Sequence, residues 1–358
     1  MTQTPDIELS TLVRIASERS LTVEEAEAAF TEVMEGRATP VQIAALLVGI
    51  RARGAVASEV AGGVRALRKA MVAVNPLGEG PVVDTCGTGG GGLTTFNIST
   101  AAALVASAGG ARVAKHGNRS FTSRCGSADV LETLGVRLEL PPEREAQILE
   151  ETGIVFMFAP LHHPAMRHVG PVRRELAMPT IMNVLGPLTN PAGAKRQVVG
   201  VADRQLLELV AEALRVLGHE RALVVHGEPG MDEFSPLGPT EVVELREGEL
   251  SRWIFDPQRE LGWETYDPTE LAGGEREENA ATVADVLSGR LSGGARAAVV
   301  LNAAAALYIA DRASSIAEGV TLAESLLDSG KAWTQLERLR KASTQEIREV
   351  EEDAPSSS

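Results

Sequence analysis

Aromatic residues are scarce in this sequence, at 3% of 358 positions. Hydrophobic residues still reach 44%, an ordinary share for a chain that buries a real core. Ala, Val and Leu must therefore do most of the packing. Cysteine is limited to Cys86 and Cys125. They sit beside polar and glycine-rich segments, where two reduced thiols of a cytoplasmic enzyme fit better than a disulfide. Positive charge is also short: 34 Lys and Arg face 49 Asp and Glu, a net charge of −15. A surface built to grip nucleic acid or an anionic membrane is more often basic, so both partners are disfavoured. No apolar stretch approaches the ~20 residues that cross a bilayer; Ala303 to Ala310 is among the longest. The opening Met-Thr-Gln-Thr-Pro-Asp has neither the basic nor the apolar part of a signal peptide.

The first 75 residues or so read as helices joined by short turns. Thr22 and Glu25 have capping-box spacing, and that helix ends near Gly36. Thr39 with Pro40 starts the next, which buries Ile43, Leu46, Leu47 and Ile50 and stops at Gly54. Ser58 is expected to cap a third helix running through Met71. The texture then changes. Pro81-Val82-Val83 predicts a short buried strand, followed by a glycine-rich loop, a helix over 98–108 and a strand at Arg112-Val113-Ala114. Val198–Val201, a helix to about Leu217 and Ala222–Val225 repeat the unit, which builds parallel sheets. Leu161 to Pro191 interrupts this order with His, Pro and Asn. The C-terminal part reads as mostly helical, with a frayed tail from Ala354 to Ser358.

The most informative absence is local. Residues 85–128 hold no Asp and no Glu, where 49 acids in 358 residues would put about six in those 44. The same segment carries Arg112, Lys115, Arg119 and Arg124. Clearing negative charge and adding cations suits a strongly anionic ligand, which a nearby carboxylate would repel. Gly87 to Gly92 could turn backbone N–H groups toward such an anion, and the next helix adds its N-terminal N–H groups. Thr95, Asn97, Ser99 and Thr100 add side-chain donors. Gly87, Gly89 and Gly92 fit a dinucleotide fingerprint, but no acid follows before Asp129 to hold a ribose. An ATP-type loop needs Gly-Lys-Ser/Thr, and Leu93-Thr94 stands there instead. His162, His163 and His168 lack zinc-ligand spacing.

Asp84-Thr85-Cys86-Gly87-Thr88-Gly89-Gly90, Thr95-Phe96-Asn97-Ile98-Ser99-Thr100 and Lys115-His116-Gly117-Asn118-Arg119 together resemble the anthranilate phosphoribosyltransferase family. So do Gly126-Ser127-Ala128-Asp129, His163-Pro164-Ala165-Met166, the run 183–191 and Gly230-Met231-Asp232-Glu233. The resemblance runs in order from about Glu25 to about Ala342. It implies an α/β protein: a small all-helical domain hinged to a larger α/β domain with a central, mainly parallel sheet. The expected boundaries are 1–78 for the helical domain, completed by part of 165–192; 79–345 for the α/β domain; and 346–358 for a tail. It implies a homodimer through the helical domain and a cytoplasmic enzyme of tryptophan biosynthesis that uses magnesium. Its substrates would be anthranilate and phosphoribosyl pyrophosphate (PRPP).

By that resemblance, PRPP is held by Gly87, Gly90, Gly91, Thr95, Asn97, Ile98, Ser99, Thr100, Lys115, His116, Gly117, Asn118, Arg119, Ser123 and Ser127. Gly87, Asn118, His163 and Arg173 belong to anthranilate, and Ser99, Asp232 and Glu233 to the metal. No residue is implied as a general acid or base. Magnesium takes hard oxygen ligands and keeps several waters, which suits adjacent carboxylates. An arginine fork such as Arg173 can hold the anthranilate carboxylate in two places. One residue departs from the family, which usually has Asp where this chain has Gly91. Two alternatives stand beside this reading. A pyrimidine nucleoside phosphorylase shares the architecture, and a non-catalytic paralogue could bind nucleic acid, though a pI near 5.0 argues against the latter.

Overall fold

A computed structural model describes residues 8–119 and 124–345. It opens with four helices: α1 (Leu9–Glu18), α2 (Val23–Met34), α3 (Pro40–Arg53) and α4 (Ala57–Ala70). The capping box at Thr22 forms as its spacing predicts, and a second stands at Thr39. Thr22 Oγ1 accepts the Glu25 N–H at 3.2 Å, and Glu25 accepts the Thr22 N–H at 2.9 Å. Thr39 and Gln42 repeat the exchange at 3.3 and 2.9 Å, with Pro40 as the first helical residue. α4 differs from expectation, because Ser58 does not cap it. The Ser58 hydroxyl donates to Leu21 O instead. The cap is Glu59, whose carboxylate accepts the Val56 N–H at 3.1 Å. It also accepts the Leu21 N–H at 3.0 Å and pairs with Arg53. One buried carboxylate thus ties the α1–α2 turn, the α3 end and the α4 start together.

The connector 71–81 leads into β1 (Val82–Gly87), α5 (Ile98–Ala108), β2 (Arg112–Gly117), α6 (Ser127–Thr133), α7 (Pro142–Thr152) and β3 (Ile154–Phe158). Short α8 (Ala159–His162), α9 (Met166–Leu176) and α10 (Met182–Leu185) fill the interval before β4 (Arg196–Gly200). Then come α11 (Leu206–Val216), β5 (Arg221–Gly227), β6 (Thr240–Arg246) and β7 (Glu249–Phe255). The described chain closes with α12 (Pro257–Leu261), α13 (Arg276–Leu287), α14 (Gly294–Ile309), α15 (Ile316–Asp328) and α16 (Lys331–Thr344). The expected tail, 346–358, lies outside the described residues.

The seven strands form one sheet in the order β3-β2-β1-β4-β5-β6-β7. The first five are parallel; β6 and β7 add antiparallel. The β6–β7 hairpin adds to the expected elements, and the C-terminal part beyond it is mostly helical as the sequence predicts. The hairpin's turn residues Glu247 and Gly248 both have positive φ, 53° and 85°, the geometry that matches strand twist in a two-residue turn. Strands β1 and β2 also run further than expected, so Lys115, His116 and Gly117 lie on a strand rather than after one.

Strand side chains alternate between two cores. Val198, Leu223 and Val225 join α5 and α14 on one face, while Val199, Ala222 and Val224 join α11 on the other. The α5 and α14 contact faces are lined by alanine, including Ala101–Ala103 and Ala303–Ala306, all fully buried. Close helix approach thus replaces bulky aromatics. The second core is continuous with α1–α4 and takes in Val169 and Val172 of α9 and Met182 and Leu185 of α10.

Glu59 gives a direct test of the helical unit. Glu59→Ala leaves the Leu21 and Val56 N–H groups and Arg53 without their acceptor. Breaking a buried ion pair this way costs about 3–5 kcal/mol. Urea denaturation should show that loss. A loss below about 1 kcal/mol would show that Glu59 is a surface cap.

Candidate active site

The chain returns across β1 after β3, so β1 and β4 form a topological switch point where ligands commonly bind open α/β sheets. Gly87 and Gly200 face each other at the carboxyl ends of these strands. A Cβ at Gly87 would stand 2.3 Å from Asp232 Oδ2, and one at Gly200 would stand 1.5 Å from Asp232 O. Both glycines are needed for the Asp232 turn to cross the strand ends. Here a cleft of about 540 Å³ opens, lined by the glycine loop, Lys115, Asn118, Ser127, Asp232 and Glu233 among others.

Lys115 is the buried cation of this cleft. Its Nζ donates to Thr85 O at 2.6 Å and to Ser99 Oγ at 3.2 Å. Burial pulls its pKa down, and Asp84, Cys86 and Glu233 oppose that pull. Glu233 is pushed well above the ordinary carboxyl range by burial and then by the Asp232 charge. The Ser99 N–H, 3.2 Å from Glu233 Oε1, and Lys115 work the other way. Asp232 Oδ2 accepts the Gly89 N–H at 2.8 Å, and Gly230 O accepts the Gly92 N–H at 3.2 Å. The glycine loop therefore rests on the acidic turn.

Asp84 carries the frame behind Lys115. Fully buried, it accepts the His116 N–H at 3.2 Å and Asn190 Nδ2 at 2.8 Å. Asn190 Nδ2 also donates to Ala114 O at 2.8 Å. One carboxylate fixes β1, β2 and the 189–191 loop together.

A second cavity of about 400 Å³ adjoins the first and shares His116, Asn118, Ala159 and Gly186 with it. Its other walls are largely apolar: Leu67 of α4, Pro160, Met166 and Met182. His116 and His163 pack ring to ring at 5.0 Å. Burial holds both imidazoles neutral, lowering His116 well below its usual value and His163 to about 4. Arg173 also faces this cavity. It is half-buried, and its guanidinium has no hydrogen bond or ion pair among the described residues. Its guanidinium pKa is lowered by burial alone.

Comparisons with known proteins agree with this layout. A family described as "Glycosyl transferase family, a/b domain" matches residues 79–333, and its helical bundle domain matches 10–71. An anthranilate phosphoribosyltransferase of Rubrobacter xylanophilus is 51% identical over 93% of this chain and 96% of its own length. One from Methanocorpusculum labreanum is 47% identical over 91% and 95%. The chain belongs to the anthranilate phosphoribosyltransferase family. A crystal structure of that enzyme from Thermus thermophilus superposes with a TM-score of 0.88 at 46% identity, covering 93% of this chain and 99% of the other. The Saccharomyces cerevisiae enzyme "in complex with PRPP and Mg" gives 0.85 at 26% identity, covering 95% and 99%.

Against the residues that the family resemblance implies, the structure sorts as follows. Gly87, Gly90, Gly91, Thr95, Asn97, Ser99, Lys115, His116, Gly117, Asn118, Arg119 and Ser127 line the first cleft, with Asp232 and Glu233. Asn118, His163 and Arg173 line the second cavity, which Gly87 does not reach. Ile98 and Thr100 are buried and line neither cavity. Ser123 lies outside the described residues. Of the four cations in the acid-free segment, Arg112 points away to Glu150 and the carbonyls of Glu79 and Gly80. Arg119 is paired with Asp129 and Glu132, and Arg124 approaches Glu275. Sequence absence of acid is thus not absence in space, and Lys115 is left as the central cation. Asp84 and Asn190 stand in quoted motifs, but only their buried hydrogen bonds reveal their work.

The neutral histidines predict a pH effect. His116, His163 and His219, the last lowered to about 3 by burial, resist protonation when folded. Unfolded, each titrates near its ordinary value of about 6.5. The unfolded state then binds more protons, so stability falls as pH drops from about 6.5 toward 4. Thermal melts should show this, with a shallower fall in His163→Asn. An unchanged slope would mean that His163 is not held neutral.

Proposed function

We propose that this chain transfers the phosphoribosyl group of PRPP to the amine of anthranilate, giving N-(5-phosphoribosyl)anthranilate and pyrophosphate, in tryptophan biosynthesis. The observation that carries the reading is the pair of joined cavities. One is polar, with a buried lysine and an exposed glycine loop; the other is apolar, with an unpaired guanidinium. PRPP would fill the first, and anthranilate the second, with its carboxylate on Arg173 and its amine toward Asn118. Support comes also from a yeast relative's structure "in complex with 4-fluoroanthranilate", which superposes at a TM-score of 0.83 and 26% identity.

The C1–oxygen bond breaks with its electron pair leaving on pyrophosphate, and the amine lone pair forms the new bond to C1. Lys115 meets the growing negative charge in a site where a fixed cation acts more strongly than in water. An arylamine is already neutral at pH 7, so no strong base is needed, and the surplus proton can pass to pyrophosphate or water. His163, with a pKa near 4, is a poor base. Its part is to shape the pocket. Holding amine and C1 in line supplies much of the rate.

Ser99, Asp232 and Glu233 offer hard oxygens beside the cleft and would hold magnesium. Among the described residues no group of three or more His, Cys, Asp or Glu side chains surrounds one point. Such an ion would complete its shell with water and substrate oxygens, as magnesium commonly does. When bound, it supplies positive charge for the leaving pyrophosphate.

A homodimer is proposed from α3. Val41 and Val48 are 78% and 36% exposed, and Ala45 and Ala52 share their helical face and are exposed too. A second copy would cover this apolar stripe. Cys86 and Cys125 form no disulfide, which suits the cytoplasm, and no helix among the described residues is long and apolar enough to cross a membrane.

The direct assay is loss of anthranilate fluorescence with PRPP and magnesium, run on wild type and Arg173→Ala. A lost charge-assisted hydrogen bond is worth ~1.5–3 kcal/mol, so kcat/KM for anthranilate should fall roughly 10- to 150-fold. Its KM should rise far more than that of PRPP. Equal turnover of a nucleoside with phosphate would overturn the assignment, and an unchanged Arg173→Ala would remove Arg173 from the pocket.

Gly91 allows a second test. A Cβ there would meet Gly230 O at 2.9 Å and Asp232 Oδ1 at 3.7 Å. Aspartate would therefore push on the Gly230 turn and set a further carboxylate beside Asp232. Such a carboxylate would favour an added magnesium and tighter ground-state binding of PRPP. Gly91→Asp should lower the KM for PRPP and increase inhibition at high magnesium. Superimposable magnesium titrations and equal KM values would detach position 91 from the metal–substrate complex.

A further inference from the structure

Beside His163 stands a histidine that the transfer chemistry does not use. His162 ends α8 and is 1% exposed, yet both its ring nitrogens are engaged. Nδ1 lies 2.8 Å from Val72 O, and Nε2 lies 3.1 Å from Glu145 Oε1. A backbone carbonyl can only accept, so Nδ1 carries a proton. The Nε2 contact then shares one further proton with Glu145. Whichever partner holds it, the two form a closed, buried unit, because Glu145 on α7 is fully buried.

Val72 belongs to the connector between α4 and β1. It answers His162 with a second bond: the Val72 N–H donates to His162 O at 2.8 Å. One residue thus grips one connector residue by side chain and main chain together. Two residues on, the Val74 N–H donates to Pro191 O at 3.0 Å. Pro191 follows Asn190, which Asp84 holds, and Thr189, which lines the second cavity. The connector is therefore fastened at two points, each next to a residue that lines that cavity: His162 beside His163, and Pro191 two residues after Thr189. The cavity also takes Leu67 from α4. The distance between those walls depends on how the connector is held.

Stability alone does not explain the arrangement. A buried ionisable pair is often no better than apolar residues of equal volume. Fixed geometry is what it provides. We propose that His162 is a positioning residue of the transfer reaction. Clamped by Glu145, it straps the interdomain connector at Val72 and so sets the width of the pocket that receives the anthranilate ring. This rests on the second cavity being the anthranilate pocket.

The test is two-substrate kinetics with thermal melts on three proteins. His162→Gln keeps a group near Glu145 but loses the donor to Val72. Its KM for anthranilate should rise about five- to twentyfold, the scale of one lost hydrogen bond, with the KM for PRPP changed less than about twofold. In His162→Asn with Glu145→Gln, the Asn amide can replace the Nδ1 donor and no unpaired charge is buried; the anthranilate KM should return toward wild type. A lower melting point with both KM values unchanged would make His162 structural and overturn the proposal. If the variants do not fold, hydrogen exchange on the wild-type protein decides. Saturating anthranilate should slow exchange of the Val72 and Val74 amides, and unaltered rates would refute the strap. A wild type that consumes no anthranilate removes the pocket reading and this proposal with it. One that consumes it while His162→Gln matches wild type removes the proposal alone.

Discussion

A single buried ammonium organises this molecule. Lys115 sits between the carboxylates of Asp84 and Glu233 and donates to Thr85 O and Ser99 Oγ. A charge so buried is tolerated only with such partners. These partners lie on three different elements: β1, the start of α5 and the turn after β5. Satisfying Lys115 therefore fixes the strand ends, the helix start and the acidic turn relative to one another. Removing water from this cation also strengthens its attraction for a bound anion. The same burial thus shapes the fold and prepares the site.

The sheet and the first helices were legible because their signals are local. The capping box at Thr22, the helix start at Thr39 and the glycine stop at Gly54 form where the spacing places them. The cap of α4 was not legible. Ser58 has the right chemistry, but Leu21, distant in sequence, takes its hydroxyl, while Glu59 does the capping. The β6–β7 hairpin is not legible in the sequence because its turn, Glu247-Gly248, lacks the usual Asn-Gly signature. In the site, the glycine loop and Lys115 could be found from residue types alone. The pairing of Arg112 and Arg119 with acids far along the chain could not. Nor could the joining of two cavities at His116 and Asn118, which depends on strand order.

The glycine loop and the acidic turn hold each other. Gly89 N–H and Asp232 are each spoken for by the other. Small residues make this possible. Gly87 and Gly200 admit the turn across the strand ends, and Gly91 lets the loop lie against Gly230.

With the two cavities joined as one site, bond cleavage in the polar cleft depends on an amine arriving from the apolar pocket. Parallel measurement of pyrophosphate release and anthranilate loss tests this most directly. With PRPP and magnesium present, release should be negligible until anthranilate is added, and then match its consumption one for one. Pyrophosphate released at the same rate without anthranilate would contradict it, because the two cavities would then not act as one site.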